Sequence, residues 1–218
     1  MRGLVVTLHE GSVATEQVLW HRRLPASVGF YPIKGRQIPR QRNMGVAEAR
    51  RVGVDWCLML DSDTVPRDET LDLLLSRDAP IVTALVLERS FPFNPAAVKG
   101  LEPPEKWRLQ DLPVGGVVNV VAAGAACLLI RRAVWEGMDF PWFRCGQIVP
   151  DLLTEDTEFC LRAAEAGFGT VLDCDARVGH KMGNDGGVLW PGRDGTPYVQ
   201  WPGASDVREP LPRREVMI

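Results

Sequence analysis

The sequence predicts an α/β domain built on a mostly parallel central sheet flanked by helices, and three observations carry that prediction. Short apolar runs of strand type alternate with capped or amphipathic segments of helix length through the first 90 residues, as they do when helical crossovers join parallel strands. One run, Trp56-Cys57-Leu58-Met59-Leu60, is apolar at every position, as a central strand buried on both faces requires. The 218 residues are 45% hydrophobic and 24% charged, enough for one well-buried domain and incompatible with wholesale disorder.

Arg2 to Leu8 reads as the first strand, ending among the polar Thr7, His9, Glu10 and Gly11. Ser12 is placed to cap a helix running through Gln17 and Trp20 to about Arg23, a basic stretch in which His21 is expected to be solvated. Val28 to Ile33 is a second strand. Pro39 precedes a helix from about Arg40 to Val52, stopped by Gly53. Trp56 to Leu60 is the third strand. The next helix is expected from about Pro66, with Asp68 and Glu69 near the positive end of its dipole. Ile81 to Leu87 is a fourth strand.

From Glu88 to Gly116 the alternation stops, and Pro92, Pro95, Pro103, Pro104 and Pro113 mark a long connection of the functional-loop kind. Strand character returns at Val117 to Val121 and Ala126 to Ile130. A short helix at Arg132 to Glu136 and an aromatic loop with Phe140, Trp142 and Phe143 follow. Thr154 is a cap for a helix through Ala166, and Thr170 to Leu172 is the last short strand. Beyond His180 the chain is rich in Gly and Pro and lacks periodicity. The expected division is therefore a domain over 1–182 and a lid or tail over 183–218, with Trp190 or Trp201 closing on a ligand.

A net charge of −3 and a pI near 5.7 argue against a surface for coating nucleic acid, while Arg36, Arg40 and Arg42 leave room for a phosphate-bearing small molecule. The five cysteines (Cys57, Cys127, Cys145, Cys160, Cys174) stand singly, so no CxxC zinc or dithiol pattern exists, and the expected setting is reducing and cytoplasmic. No signal-peptide layout opens the chain, and its longest apolar stretch, Val117 to Ile130, is too short to span a bilayer.

The chemistry concentrates at Asp61-Ser62-Asp63-Thr64, directly after the buried third strand. Ligands of α/β sheets bind beyond the carboxyl ends of the strands, and two carboxylates at i and i+2 there suit a hard divalent ion bridging to phosphates. The same residue types also form ordinary turns.

Arg42-Asn43-Met44-Gly45-Val46-Ala47, followed by Asp55-Trp56-Cys57-Leu58-Met59-Leu60-Asp61-Ser62-Asp63, resembles the central signature of family-two-like GT-A glycosyltransferases. There an "RN" opens a helix and the next strand ends in a "DxD" metal site. Three later segments are similar to further elements of that family: Val121 to Arg132 around Gly124, Thr154-Glu155-Asp156-Thr157-Glu158-Phe159, and Val178-Gly179-His180. The resemblance implies a GT-A, Rossmann-like sheet with a small antiparallel acceptor-side portion. It implies an Mn²⁺ or Mg²⁺ ion held by Asp61, Asp63 and His180, and Asp156 as the base on the acceptor hydroxyl with Glu155 orienting nearby hydroxyls. A nucleoside-diphosphate sugar, UDP by default, would meet Thr7, His9, Glu10, Arg40, Arg42, Asn43, Asp61, Ser62 and Gly124, with Trp190 closing over it. The acceptor stays open between a glycan, a protein, a small molecule and a modified nucleobase, and the oligomeric state is open too.

Two other expectations share these residues. A retaining glycosyltransferase would use the same metal site without the base. Leu58-Met59-Leu60-Asp61-Ser62-Asp63-Thr64-Val65 also resembles the first motif of haloacid-dehalogenase-like phosphatases, where Asp61 would be the nucleophile and Asp63 its acid/base. Against it, two strand–helix units precede the motif, and no later lysine or paired acidic motif completes that site.

Overall fold

The computed structural model describes residues 1–101, 104–144, 154–183, 186–202 and 209–210. Cys145 and the parts 184–185, 203–208 and 211–218 of the expected tail lie outside these residues. In chain order the elements are β1 (Gly3–His9), α1 (Thr15–His21), β2 (Val28–Lys34), α2 (Ile38–Val52), β3 (Trp56–Asp61), β4 (Thr64–Val65), α3 (Thr70–Ser76) and β5 (Ile81–Leu85). Then come β6 (Ala97–Leu101), β7 (Pro104–Lys106), β8 (Val117–Val120), β9 (Ala122–Ala123), β10 (Cys127–Arg131), α4 (Arg132–Gly137) and α5 (Glu155–Glu165). Five strands close the series: β11 (Thr170–Arg177), β12 (Gly179–Met182), β13 (Gly187–Pro191), β14 (Pro197–Gln200) and β15 (Glu209–Pro210).

The result is a mixed α/β fold around a seven-stranded sheet of order β2-β1-β3-β10-β5-β11-β8. Strands β2, β1, β3, β5 and β11 run one way, and β10 and β8 run against them, so the sheet is mostly parallel as expected. Alternation along β1 separates its faces. Leu4, Val6 and Leu8 join one core with Val46 and Ala49 of α2, Trp135 of α4 and Phe159 of α5. Val5 joins the other core with Trp20 of α1 and Leu71 and Leu74 of α3. Helix α2 packs closely because Gly45 faces the sheet, where an added Cβ would meet Val6 Cγ1 at 2.6 Å. Among the described residues, no helix is long and apolar enough to cross a membrane.

The structure departs from expectation in several places. Ser12 caps nothing; α1 begins at Thr15 after Ala14, without a side-chain cap. Two residues of strand, β4, stand between Asp63 and Pro66, and α3 starts only at Thr70. The proline-rich connection carries β6 and β7, which form a three-stranded sheet with β9. The largest difference concerns the segment after 182. Strands β13, β14 and β15 extend an antiparallel sheet of order β15-β14-β13-β12-β4, so the expected boundary falls between two strands that pair directly. Leu189 and Val199 of that sheet are buried with Leu85, Leu87 and Leu172 in a third core. These strands are short and interrupted by Gly and Pro, so they carry too few residues for a period-2 signal to emerge.

His21 is half-buried, not solvated. Its Nε2 shares a 3.2 Å hydrogen bond with Thr7 Oγ1, and its ring lies 4.1 Å from that of Phe30. Burial lowers its pKa to about 4. The imidazole is therefore neutral in the folded chain, while the unfolded chain takes up a proton below about pH 6.5. Folding stability should fall as pH drops from about 6.5 towards 4, with His21 contributing about 1–2 kcal/mol once its partial exposure is allowed for. His21→Phe should flatten that stretch of a denaturation-versus-pH profile; an unchanged slope would show that His21 does not set it.

Candidate functional site

The Asp61–Thr64 segment is both a turn and a presented pair of acids. Asp61 N–H donates to Ala126 O at 3.0 Å and Ser62 N–H to Leu8 O at 3.1 Å, which ties the loop to both neighbouring strands. The Thr64 hydroxyl donates back to Asp61 O at 2.7 Å, and Gln17, wholly buried on α1, donates to the same carbonyl at 2.8 Å. With its backbone held on four sides, the loop leaves the Asp61 and Asp63 side chains each 33% exposed at the carboxyl end of β3.

Asp61 lies level with Leu8 in the β1–β3 register and so points to the α2 face of the sheet. There it meets Arg42, whose side chain is only 3% exposed. The Arg42 guanidinium reaches Asp61 Oδ1 at 3.2 Å, Glu155 Oε1 at 3.0 Å and the Ala125 carbonyl at 3.0 Å. Burial favours the neutral form of Arg42, but the charges of Asp61, Glu155 and Asp156 outweigh it and hold its pKa above the usual value. Burial, reinforced by Asp63, Asp156 and Glu155, pushes the Asp61 carboxyl upward against the pull of Arg42.

Asp63 takes a different pair of partners. Arg89 Nη1 lies 2.9 Å from Asp63 Oδ2, and His180 Nε2 lies 3.4 Å from the same oxygen. His180 Nδ1 faces the Leu87 carbonyl at 2.8 Å, so that nitrogen carries a proton and Nε2 is the one aimed at Asp63. Burial works to raise the Asp63 pKa, but the hydrogen bond and charge of His180, with Arg89, hold it below the ordinary carboxylate range.

Beside Arg42, α5 begins against the glycine segment. Asp156 Oδ2 accepts the Ala125 N–H at 3.1 Å, and Oδ1 accepts the Thr157 N–H at 2.8 Å and the Thr154 hydroxyl. Gly124 is bonded through its N–H to Ala96 O at 2.7 Å. An added Cβ at Gly124 would stand 3.0 Å from Ala96 Cβ and 3.7 Å from Asp156 Oδ2.

The structure thus gathers Arg42, Asp61, Gly124, Glu155 and Asp156 in one place, with Asp63 and His180 at its edge. It does not gather the remainder of the expected set. Thr7 is fully buried on the opposite face of β1, bonded to His21. Glu10 and Arg40 are exposed, and Glu10 lies 3.9 Å from Arg36. His9 is half-buried with a shielded Nδ1 that has no partner. Asn43 is spent on the aromatic loop: Nδ2 donates to Pro39 O and Phe143 O, and Oδ1 accepts the Phe143 N–H. Ser62 accepts the Ala14 N–H at its carbonyl, pinning the start of α1. In the β12–β13 register Trp190 falls opposite Gly179, on the other face of the small sheet from His180, and packs with Val65 and Val188. Among the described residues no group of three His, Cys, Asp or Glu is arranged to hold an ion alone.

Sequence reasoning missed Arg89 and Gln17. Arg89 follows β5 by four residues at the same end of the sheet as Asp61, and that strand-end position was the available signal.

No protein-family model and no curated protein matches the chain. Its fold is similar to the crystal structure of A197 from STIV, with a TM-score of 0.66 over 96% of this chain and 99% of that one at 15% identity. A glycosyltransferase involved in the glycosylation of the major capsid of PBCV-1 overlaps 65% of this chain and 69% of its own, at 14% identity and a TM-score of 0.35, too slight to bear on fold or function.

Arg42→Met should lower stability by about 3–5 kcal/mol in urea denaturation, because it strands Asp61 and Glu155 beside an apolar stem. Adding Glu155→Gln should recover part of that loss. Additive losses in the double variant would show that the two side chains are not coupled.

Proposed function

We propose that this chain is a GT-A-type glycosyltransferase, moving a sugar from a nucleoside-diphosphate donor, UDP by default, to an acceptor hydroxyl. The observation that carries the proposal is the pairing of Asp63 with a histidine whose Nδ1–H is fixed on a backbone carbonyl. A metal-ligating histidine is oriented in this way, with the other nitrogen left for the ion. Carboxylate oxygen with imidazole nitrogen suits Mn²⁺, whereas Mg²⁺ would use the carboxylates alone, and either ion commonly takes one or two protein carboxylates and completes its shell with substrate phosphates. An ion arriving with the nucleotide therefore fits Asp63 and His180, with Asp61 beside them. When bound, it would neutralise charge developing on the departing diphosphate.

The chain's own residues supply the rest. Arg89, 51% exposed, can turn from Asp63 to the diphosphate as the acid turns to the ion. Arg42 stays buried and holds Asp61 and Glu155 at fixed spacing across the cleft. Asp156 is the candidate base: three donors occupy its carboxylate, leaving one of about four lone-pair sites for an acceptor hydroxyl. A retaining enzyme would use the same cleft without that step. No observation favours the phosphatase, since Arg42 lies 3.2 and 3.5 Å from the two oxygens of the Asp61 it would need free.

In a thermal-shift panel, one nucleoside diphosphate with Mn²⁺ should stabilise the protein, by about 2.7 kcal/mol at a hundredfold excess over Kd. Asp63→Ala and His180→Ala should each remove the metal-dependent part. Stabilisation by vanadate without nucleotide would instead favour phosphate-ester chemistry. Asp156→Asn should cut kcat by about 10²–10⁴-fold, remove the acid limb of the pH–rate profile and leave donor binding intact. Near-normal turnover would discard Asp156 as base.

A further inference from the structure

The segment that follows β5 doubles back on itself. Ala96 N–H donates to Val86 O at 3.0 Å, Glu88 N–H to Asn94 O at 2.9 Å and Phe93 N–H to Ser90 O at 2.8 Å, so residues 86–96 form a tight hairpin. Its base touches both halves of the candidate site. The Leu87 carbonyl orients His180 at 2.8 Å, and the Ala96 carbonyl holds the Gly124 N–H at 2.7 Å. Lys106 pairs with Glu88 at 2.5 Å and ties the hairpin to β7. With the backbone fastened in this way, movement at Arg89 falls to its half-exposed side chain.

That side chain stands where a cation is wanted. Arg89 Nη1 lies 2.9 Å from Asp63 Oδ2, the same oxygen that faces His180 Nε2 at 3.4 Å. A divalent ion held by Asp63 and His180 needs that oxygen and that nitrogen. Guanidinium and ion therefore contend for one atom, and their like charges repel at such range. Among the described residues, Asp63 is the acid with which Arg89 pairs. The pair exchanges readily, because both side chains reach solvent. A diphosphate offers the guanidinium a better partner, since its planar fork of donors can take two anionic oxygens together.

We propose that Arg89 is a lock on the ion site: it holds Asp63 in the free chain and releases it to an ion only when a diphosphate draws the guanidinium away. This lock presupposes the metal-dependent reading of the cleft and adds an order of events to it. An ion alone binds weakly, because it must displace a cation that has nowhere better to go. Diphosphate and ion each raise the affinity of the other, as linkage requires of two ligands that favour the same position of one side chain. Free ions are thereby turned away, and the ion is admitted together with a donor that carries a diphosphate.

Mn²⁺ titrations of the full chain, read by water-proton relaxation and repeated with UDP present, test the lock. Arg89→Gln should bind Mn²⁺ alone about five- to tenfold more tightly than the wild type, and UDP alone more weakly. The position is half exposed, so the change spares the core, and a gain of affinity is a result that misfolding cannot give. Arg89→Lys, which keeps the positive charge, should restore the weak binding of Mn²⁺. Adding Asp63→Ala to Arg89→Gln should abolish the gain. The factor by which UDP tightens Mn²⁺ binding should shrink in Arg89→Gln, since the ion–nucleotide complex in solution is common to both forms. The lock is overturned if Arg89→Gln binds Mn²⁺ alone no more tightly than the wild type, or if the gain survives the loss of Asp63. In either case, wild-type UDP binding that still depends on Mn²⁺ leaves the transferase reading standing. If neither form binds Mn²⁺, with or without UDP, both fall.

Discussion

Everything at the candidate site hangs on one buried cation. Arg42 enters from α2, passes beneath the loop after β3 and ends against the first turn of α5 and the carbonyl of Ala125. Four chain segments far apart in sequence are thereby fastened to a single guanidinium, whose planar fork of donors allows three partners at once. A buried charge is costly unless its neighbours neutralise and hydrogen-bond it, so the arrangement depends on the carboxyl groups of Asp61 and Glu155 being in place. Lysine, with one compact ammonium, could not span the same three acceptors. The guanidinium carbon of Arg42 also lies 5.9 Å from the centroid of the Phe143 ring, which is itself stacked on Phe159.

This hub explains which parts of the site were legible in the sequence. Asp61 and Asp63 stood out because a wholly apolar strand ran straight into two acids. The start of α5 stood out because three acids followed a threonine. Both are local patterns. The pairings Arg42–Glu155 and Arg89–Asp63 span 113 and 26 residues, and no local period encodes them. Asn43 illustrates the opposite error. Beside Arg42 it looked like a ligand contact, yet all its hydrogen bonds go to backbone, chiefly at Phe143, one hundred residues away.

The fold follows the same division. Strands β1, β3 and β5 were readable because almost every residue in them is buried and therefore apolar. The small antiparallel sheet was not, because β4 is two residues long and β12 to β14 are four or five, with Gly and Pro between them. Their stability comes from a core they share with β5 and β11, contributed by distant residues. Such strands are defined by what they pack on and leave little trace in their own sequence.

Strand β4 then acquires a significance out of proportion to its length. It starts at Thr64, directly after Asp63, and pairs with β12 at His180 and Gly179. Lys181 N–H donates to Asp63 O at 2.8 Å, and its ammonium pairs with Glu16 of α1. The loop bearing both acids is therefore the joint between the two sheets, gripped from the large sheet by Leu8 and Ala126 and from the small one by Lys181. A ligand that moves Asp63 must strain this joint, because its backbone is bonded into both sheets. Gln17 and the Thr64 hydroxyl, both donating to the Asp61 carbonyl, and the backbone of Leu8, Ala126 and Lys181 together fix the Asp61–Thr64 turn, so the two acids are presented from a loop held on both sides of the joint.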